Sequence, residues 1–232
     1  MADAMASKRP TCTTCLRPQS TCICHWITPT AHAVEVVVLQ HPLEVHNAKG
    51  SARLLHLSLP HSQLLTGEVF TQHAMQALLA GPRQAVLLYP DTPVTSDKSI
   101  TSVSRALPPE LLHSPSQLRL IVLDGTWRKS RKMLHLNPLL QRIPRLSLRD
   151  LPASHYLIRK AHRPDQLSTL EATCAALTQL EGNAHQFQPL LAAFDGFVAQ
   201  QLAHHQMRGC YSVSPPPAPT LPSPLPCRPA LH

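Results

Sequence analysis

Residues 118–134 read LRLIVLDGTWRKSRKML, and this stretch decides the fold. Leu118–Leu123 is a short run rich in branched apolar residues with no polar alternation, the pattern of a strand covered on both faces. It stops at Asp124-Gly125-Thr126-Trp127 and passes at once into a basic helical pattern over Arg128–Gln141. Two further runs of the same kind lie upstream, Val34–Leu39 and Ala85–Tyr89, and Leu146–Leu148 offers a short fourth. Helical patterns alternate with them at Ser51–Leu59, Thr71–Leu79, Leu167–Leu180 and Pro189–His204. In the last of these Leu190, Leu191, Phe194, Phe197, Val198 and Leu202 make an apolar stripe that packs on a core. Buried strands alternating with helices predict an α/β fold, a mostly parallel sheet flanked by helices.

Ligands of such sheets bind beyond the carboxyl ends of the strands. Here the first strand runs into Gln40-His41-Pro42-Leu43-Glu44, the second into Tyr89-Pro90-Asp91 and the third into Asp124-Gly125-Thr126-Trp127. Pro, Asp and Gly mark turns anywhere, but three strands delivering ionisable groups to one rim predict a shared pocket. Asp124 reads in two ways, as the N-cap of the following helix or as a carboxylate that accepts a proton. Arg128, Lys129, Arg131 and Lys132 span little more than one turn and cannot share one face; they lie where a phosphodiester backbone would pass. Ser168 and Glu171, three apart, form a capping-box pattern that needs no ligand, although the amides of that helix start could receive a carboxylate. Neither GxGxxG nor GxxxxGK[ST] is present, so a conventional dinucleotide site and a P-loop have no support.

The 232 residues suffice for one α/β domain with a small appendage. Because aromatic residues reach only 4%, Leu, Val and Ala must build the core. A formal charge of +8 favours a polyanionic partner such as nucleic acid or an anionic membrane surface. No apolar stretch is long enough to span a membrane, and MADAMASKRP carries no hydrophobic signal, so a cytoplasmic protein with reduced thiols is expected. Cys12, Cys15, Cys22 and Cys24 then read as a tetrahedral zinc site that folds a short leader, with His25 as a substitute ligand and Lys8, Arg9 and Arg17 as flanking RNA contacts. Cys174, on an apolar helix face, reads as core. Eight prolines from Pro215 to Pro229 predict an extended, disordered tail. The expected organisation is a zinc knuckle over 1–30, a catalytic domain over 31–208 and a tail over 209–232, with nothing in the pattern to argue for a dimer rather than a monomer.

Asp124-Gly125-Thr126-Trp127 resembles the D-x-T-W signature of the DTW-domain proteins. The resemblance extends over residues 12–206 and includes the cysteine knuckle, LQHPLEVHNAKGSARLL (39–55), LLYPD (87–91) and YLIRKAHRPDQLSTLEA (156–172), in order. It implies a SPOUT-like fold similar to the knotted methyltransferases of that class. It also implies transfer of the 3-amino-3-carboxypropyl group of S-adenosylmethionine to a uridine of tRNA. On that reading Asp124, Thr126 and Trp127 are the catalytic candidates. Gln40, His41, Glu44, Arg53, Tyr89, Pro90, Asp91, Leu123, Gly125, Ser168 and Thr169 would line the S-adenosylmethionine site. Arg128, Lys129, Arg131, Lys132, Arg159, Lys160 and Arg163 would join the knuckle residues on RNA. The rival readings are an S-adenosylmethionine-dependent RNA methyltransferase and a non-catalytic zinc-knuckle RNA-binding protein.

Overall fold

A computed structural model describes residues 10–90, 114–148 and 167–210, with side chains through His204. The proline-rich stretch from Ser212 lies outside the described residues. Among the described residues five parallel strands make one sheet: β1 (Glu35–Gln40), β2 (Ser62–Thr66), β3 (Gln84–Leu88), β4 (Leu118–Asp124) and β5 (Arg145–Leu146), in the order β2-β1-β4-β3-β5. The helices are α1 (Ala52–Ser58), α2 (Gln72–Leu79), α3 (Trp127–Leu136), α4 (Pro138–Gln141), α5 (Thr169–Glu181) and α6 (Gln188–Cys210). Among the described residues no helix is long and apolar enough to cross a membrane.

The continuous apolar runs are explained by what covers them. Val36, Val38, Leu120 and Val122 point into one core shared with α1, α5 and α6, which supplies Leu54, Leu55, Cys174, Leu177, Phe194 and Phe197. Val37, Leu39, Leu87 and Ile121 point into a second, smaller core with Met75 of α2, Met133 and Leu134 of α3 and Leu140 of α4. Both faces of the central strands are therefore dry, as parallel sheets require.

Two expectations needed correction. β2 was not expected from the sequence: it is an edge strand, half exposed, and SQLLT lacks the apolar run of a central strand. The single helix expected over Arg128–Gln141 is two, because Asn137 leaves helical geometry ahead of Pro138, as the residue before a proline tends to do. The break is used: Asn137 Nδ2 donates to the Met133 and Glu68 carbonyls, and its Oδ1 accepts from the Phe70 amide.

The chain leaves β1 for α1, on the first face, and leaves β4 for α3, on the second. β1 and β4 are neighbours, paired in register from Glu35↔Arg119 to Gln40↔Asp124. Adjacent strands whose connections part to opposite faces open a crevice at their carboxyl ends. The fold thus assigns the site to the Gln40/Asp124 end of this pair.

Candidate active site and cysteine knuckle

Asp124 closes β4 and is only 5% exposed. Its Oδ1 accepts the Thr169 hydroxyl at 2.6 Å and its Oδ2 accepts the Gln40 side-chain amide at 2.9 Å. Two aimed donors offset the cost of taking a carboxylate out of water and fix its plane. The backbone is held as well, since the His41 amide donates to the Asp124 carbonyl at 2.9 Å. Asp124 is not the helix N-cap. That role belongs to Thr126, whose hydroxyl accepts the Lys129 amide. Gly125 lets the turn pass close by: a Cβ there would lie 3.1 Å from Lys129 Cβ and 3.7 Å from His41 Cβ.

An open cleft borders Asp124 and is lined by Glu44, Asn47, Lys49, Gly50, Ser51, Gly125, Ser168 and Thr169. Glu44 is buried, with Lys129 Nζ at 2.7 Å on one oxygen and Asn47 Nδ2 at 2.7 Å on the other. The capping box of α5 is complete, and it answers the question of a carboxylate at that helix start. The Ser168 amide donates to Glu171, the Glu171 amide to Ser168 Oγ and the Leu170 amide to Ser51 Oγ. Those three amides are committed within the protein, so the helix start frames the cleft and does not offer them to an anion.

Several expected site residues act elsewhere. His41 Nδ1 accepts the Leu43 amide, so its Nε2 carries the proton and donates to Glu68 at 2.9 Å. Glu68 also receives Lys132 at 3.0 Å, and these two hydrogen bonds, Lys132 first, hold its carboxyl below the ordinary range. No motif announced Glu68, which follows the overlooked edge strand. Arg53 donates to the Thr14 carbonyl, with its Nε buried and without a partner among the described residues. Arg17, expected on RNA, donates to the Ala48 and Gly50 carbonyls at 2.7 and 2.8 Å and lies over Phe197. Tyr89 stacks against Trp127 on the α3 face of the sheet, with ring centroids 5.2 Å apart. Leu123 is half-buried in that same core, and Pro90 is exposed. Lys8, Arg9, Asp91, Arg159, Lys160 and Arg163 lie outside the described residues.

Cys12, Cys15, Cys22 and Cys24 bring four sulfurs within 4.8 Å of one another. Zinc–thiolate bonds of about 2.3 Å give tetrahedral edges near 3.8 Å. The Cys12–Cys24 and Cys15–Cys22 separations, 3.5 and 3.8 Å, fit that ion. Backbone hydrogen bonds at Cys15 and Thr14 lower the Cys12 thiol to about 6, whereas burial raises Cys24 to about 12. His25 is not in the group and lies tilted against the Trp26 ring instead. The knuckle shares the main core through Cys15 and Ile23, and it is pinned to α6 by Trp26 Nε1 donating to Gln200 and Gln200 donating to the Cys22 carbonyl. Through Arg17 and Arg53 it also braces the loop that walls the cleft.

The sequence profile of the DTW domain matches residues 9–202, most of the chain. The chain belongs to the DTW-domain family. It is 27% identical over 205 residues to a protein of Macaca fascicularis named tRNA-uridine aminocarboxypropyltransferase 2, covering 86% of this chain and 66% of that one. A Drosophila melanogaster protein of the same name is 30% identical over 204 residues, 84% of this chain and 76% of the relative. An Arabidopsis thaliana protein named tRNA-uridine aminocarboxypropyltransferase A is 30% identical over 139 residues, 55% and 51% of the two chains. The chain thus spans about two thirds of the length of the mammalian relatives it matches. No solved structure matches it.

Proposed function

We propose that this DTW-domain protein transfers the 3-amino-3-carboxypropyl group of S-adenosylmethionine to N3 of a uridine in tRNA. The observation that carries the reading is the carboxylate of Asp124, gripped through both oxygens beside an open cleft at the β1/β4 crevice. The names of the relatives supply the substrate class.

Uracil N3 is a poor nucleophile while it holds its proton. Asp124 accepts that proton, the N3 electron pair attacks the aminocarboxypropyl carbon next to sulfur, and the carbon–sulfur bond breaks. Sulfur keeps the bonding pair, so the neutral thioether methylthioadenosine leaves. The sulfonium carries three carbons, and the choice among them is one of orientation. In this reading Gln40 and Thr169 are positioning residues that aim the Asp124 carboxylate. Glu44 on one wall meets the ammonium of the transferred group, and Lys49 meets its carboxylate. A zinc ion held by the four cysteines would supply a structural crosslink, with no part in bond making.

The finer features follow from the same reading. The fold is SPOUT-like, a proposal supported by the family and by the parallel five-stranded sheet. Residues 31–208 are the catalytic domain, residues 1–30 its knuckle and 209–232 a tail; the enzyme works in the cytoplasm as a monomer.

Mass spectrometry of uridines from unmodified tRNA, incubated with the protein and S-adenosylmethionine, tests the reaction. A mass gain of one aminocarboxypropyl group, lost in Asp124→Asn, is expected. A methyl gain with S-adenosylhomocysteine as product would make the protein a methyltransferase. Salt-sensitive tRNA binding with no product would make it a binding protein.

A further inference from the structure

Trp127 is 52% exposed, which for the largest apolar side chain in the protein calls for an explanation. It sits on α3 at the rim, three residues beyond Asp124, and it is not loose. Its indole lies nearly parallel to the Tyr89 ring, at an interplanar angle of 17°. Tyr89 is itself buried, and the Arg145 guanidinium lies 5.3 Å from its ring centroid. An aromatic side chain fixed this way has lost its rotamer freedom already, so a planar ligand stacking on it does not have to order it.

The cations around it sort by face. Lys129 and Lys132 are spent on Glu44 and Glu68, on the β1 side of α3. Arg128 and Arg131 are exposed and make no salt bridge with a described residue. Arg131 lies one helical turn beyond Trp127, on the same face. It is close enough to Tyr89 that its charge, with that of Arg145, opposes the upward push of burial on the phenol. A rigid exposed indole flanked by unmatched arginines is the pattern that binds single-stranded nucleic acid, with a base on the ring and phosphates on the guanidinium groups.

We propose that Trp127, backed by Tyr89 and flanked by Arg128 and Arg131, is a stacking platform for a nucleobase of the RNA substrate. It lies across the end of β4 from the cleft that Ser51, Ser168 and Thr169 frame. Asp124 stands between the two, so donor and acceptor approach it from opposite faces of the sheet. This inference rests on the reading of the chain as a tRNA-modifying enzyme, and it adds where and how the RNA is gripped.

The two tryptophans make the test direct, because Trp26 is held against α6 at Gly196 and Gln200. Titrating the full chain with an unmodified tRNA transcript should quench tryptophan fluorescence saturably, and Trp127→Phe should abolish that quench. Trp127→Ala should weaken tRNA binding roughly five- to a hundred-fold, the range that base–aromatic stacking covers. Trp127→Phe should recover part of the loss, and Arg131→Ala should lower the salt dependence by about one phosphate contact. Equal tRNA affinity of Trp127→Ala and the unaltered protein would overturn the proposal. So would the same quench produced by S-adenosylmethionine alone, which would assign the platform to the donor's adenine. The two readings fail separately. Aminocarboxypropyl product with unchanged affinity in Trp127→Ala sinks only the platform, while a Trp127-dependent quench without product supports the platform and sinks the reaction.

Discussion

The strand pair β1/β4 carries a carboxylate at each end, half-buried Glu35 and buried Asp124, and the two ends are built for different work. At the amino end Glu35 receives Arg119 at 2.8 Å and Arg83 at 3.2 Å. Burial pushes the Glu35 carboxyl up, but Arg119 and Arg83 together outweigh it and hold the group below its ordinary value. Arg119 also donates to the Leu78 and Ala80 carbonyls, so guanidinium groups and backbone fill the space around the acid. At the carboxyl end Asp124 is held by an amide and a hydroxyl, short groups that leave a cleft open beside it. Carrying a carboxylate at a strand end does not by itself separate a structural group from the one proposed to react. What separates them is whether the partners fill the adjoining space or aim the group at it.

The largest effect should come from breaking that distinction at Asp124. Asp124→Asn keeps the size and one accepting oxygen, turns the other into a donor that Thr169 Oγ1 can accept, and cannot take a proton, so a loss of about 10²–10⁴-fold in transfer rate is expected for a general base. Glu35→Gln should leave the rate within a few-fold and cost about 1–3 kcal/mol of stability, the range for a lost charge-assisted hydrogen bond. Rates and denaturant midpoints of the two variants, measured side by side, check the contrast. A slow Glu35→Gln or an active Asp124→Asn would erase it.

The knuckle sharpens the comparison, because it is remote in sequence yet braces the cleft. Stripping metal with a chelator should lower the melting temperature by about 4–8 °C, equivalent to about 2 kcal/mol for a chain of this size. It should also weaken binding of S-adenosylmethionine, because Arg17 and Arg53 join the knuckle to the 48–50 loop and α1. Calorimetry before and after chelation, with zinc added back, would show this. A chelated protein that melts and binds unchanged would mean that the four sulfurs hold no structural ion.

Much of this was legible in the residues. Apolar runs without alternation gave four of the five strands, Ser168 and Glu171 gave the capping box, and the cysteine spacing gave the sulfur cluster. What escaped depended on partners distant in sequence. β2 is an edge strand with a weak apolar signal, and Glu68 behind it acquires meaning only from His41 and Lys132. Arg53 and Arg17 look like ligand-binding cations until the knuckle supplies a carbonyl for Arg53 and the 48–50 loop two for Arg17. Gln40 and Thr169 were assigned to the cofactor; the structure places both on Asp124, which a linear reading cannot see across 84 and 45 residues of separation.

Gly196 offers a smaller test in which local and tertiary rules disagree. It lies inside α6, where alanine is the better helix former by about 1 kcal/mol. A Cβ there would come within 2.2 Å of Trp26 Cζ3 and 2.3 Å of Cη2, both parts of a ring locked to Gln200. Overpacking of this kind costs about 1–3 kcal/mol, so sterics should win. Gly196→Ala is expected to lower the denaturant midpoint and to speed metal release by tilting the knuckle off the helix. Stabilisation instead would show that the knuckle is only loosely seated on α6.

The smallest expected effect is the acid limb of stability. Burial lowers His32 and His56 below the ordinary histidine value, so both stay neutral in the fold. Their sign differs from that of a histidine stabilised by a carboxylate. Below about pH 6.5 the unfolded chain takes up protons that the folded chain refuses, so stability falls from there until the folded pKa is reached. Glu35 adds a second, lower step. Its folded value is depressed, so its contribution is complete above the unfolded carboxylate range near 4.3 and is lost as pH drops through the folded value. Denaturant midpoints between pH 8 and 3 should therefore decline in two stages. Replacing His32 by Asn should flatten the upper stage and Glu35→Gln the lower one. If Glu35→Gln flattened neither stage, the arginine pair at the amino end would not be holding that carboxylate in its charged form, and the contrast with Asp124 would lose its structural half.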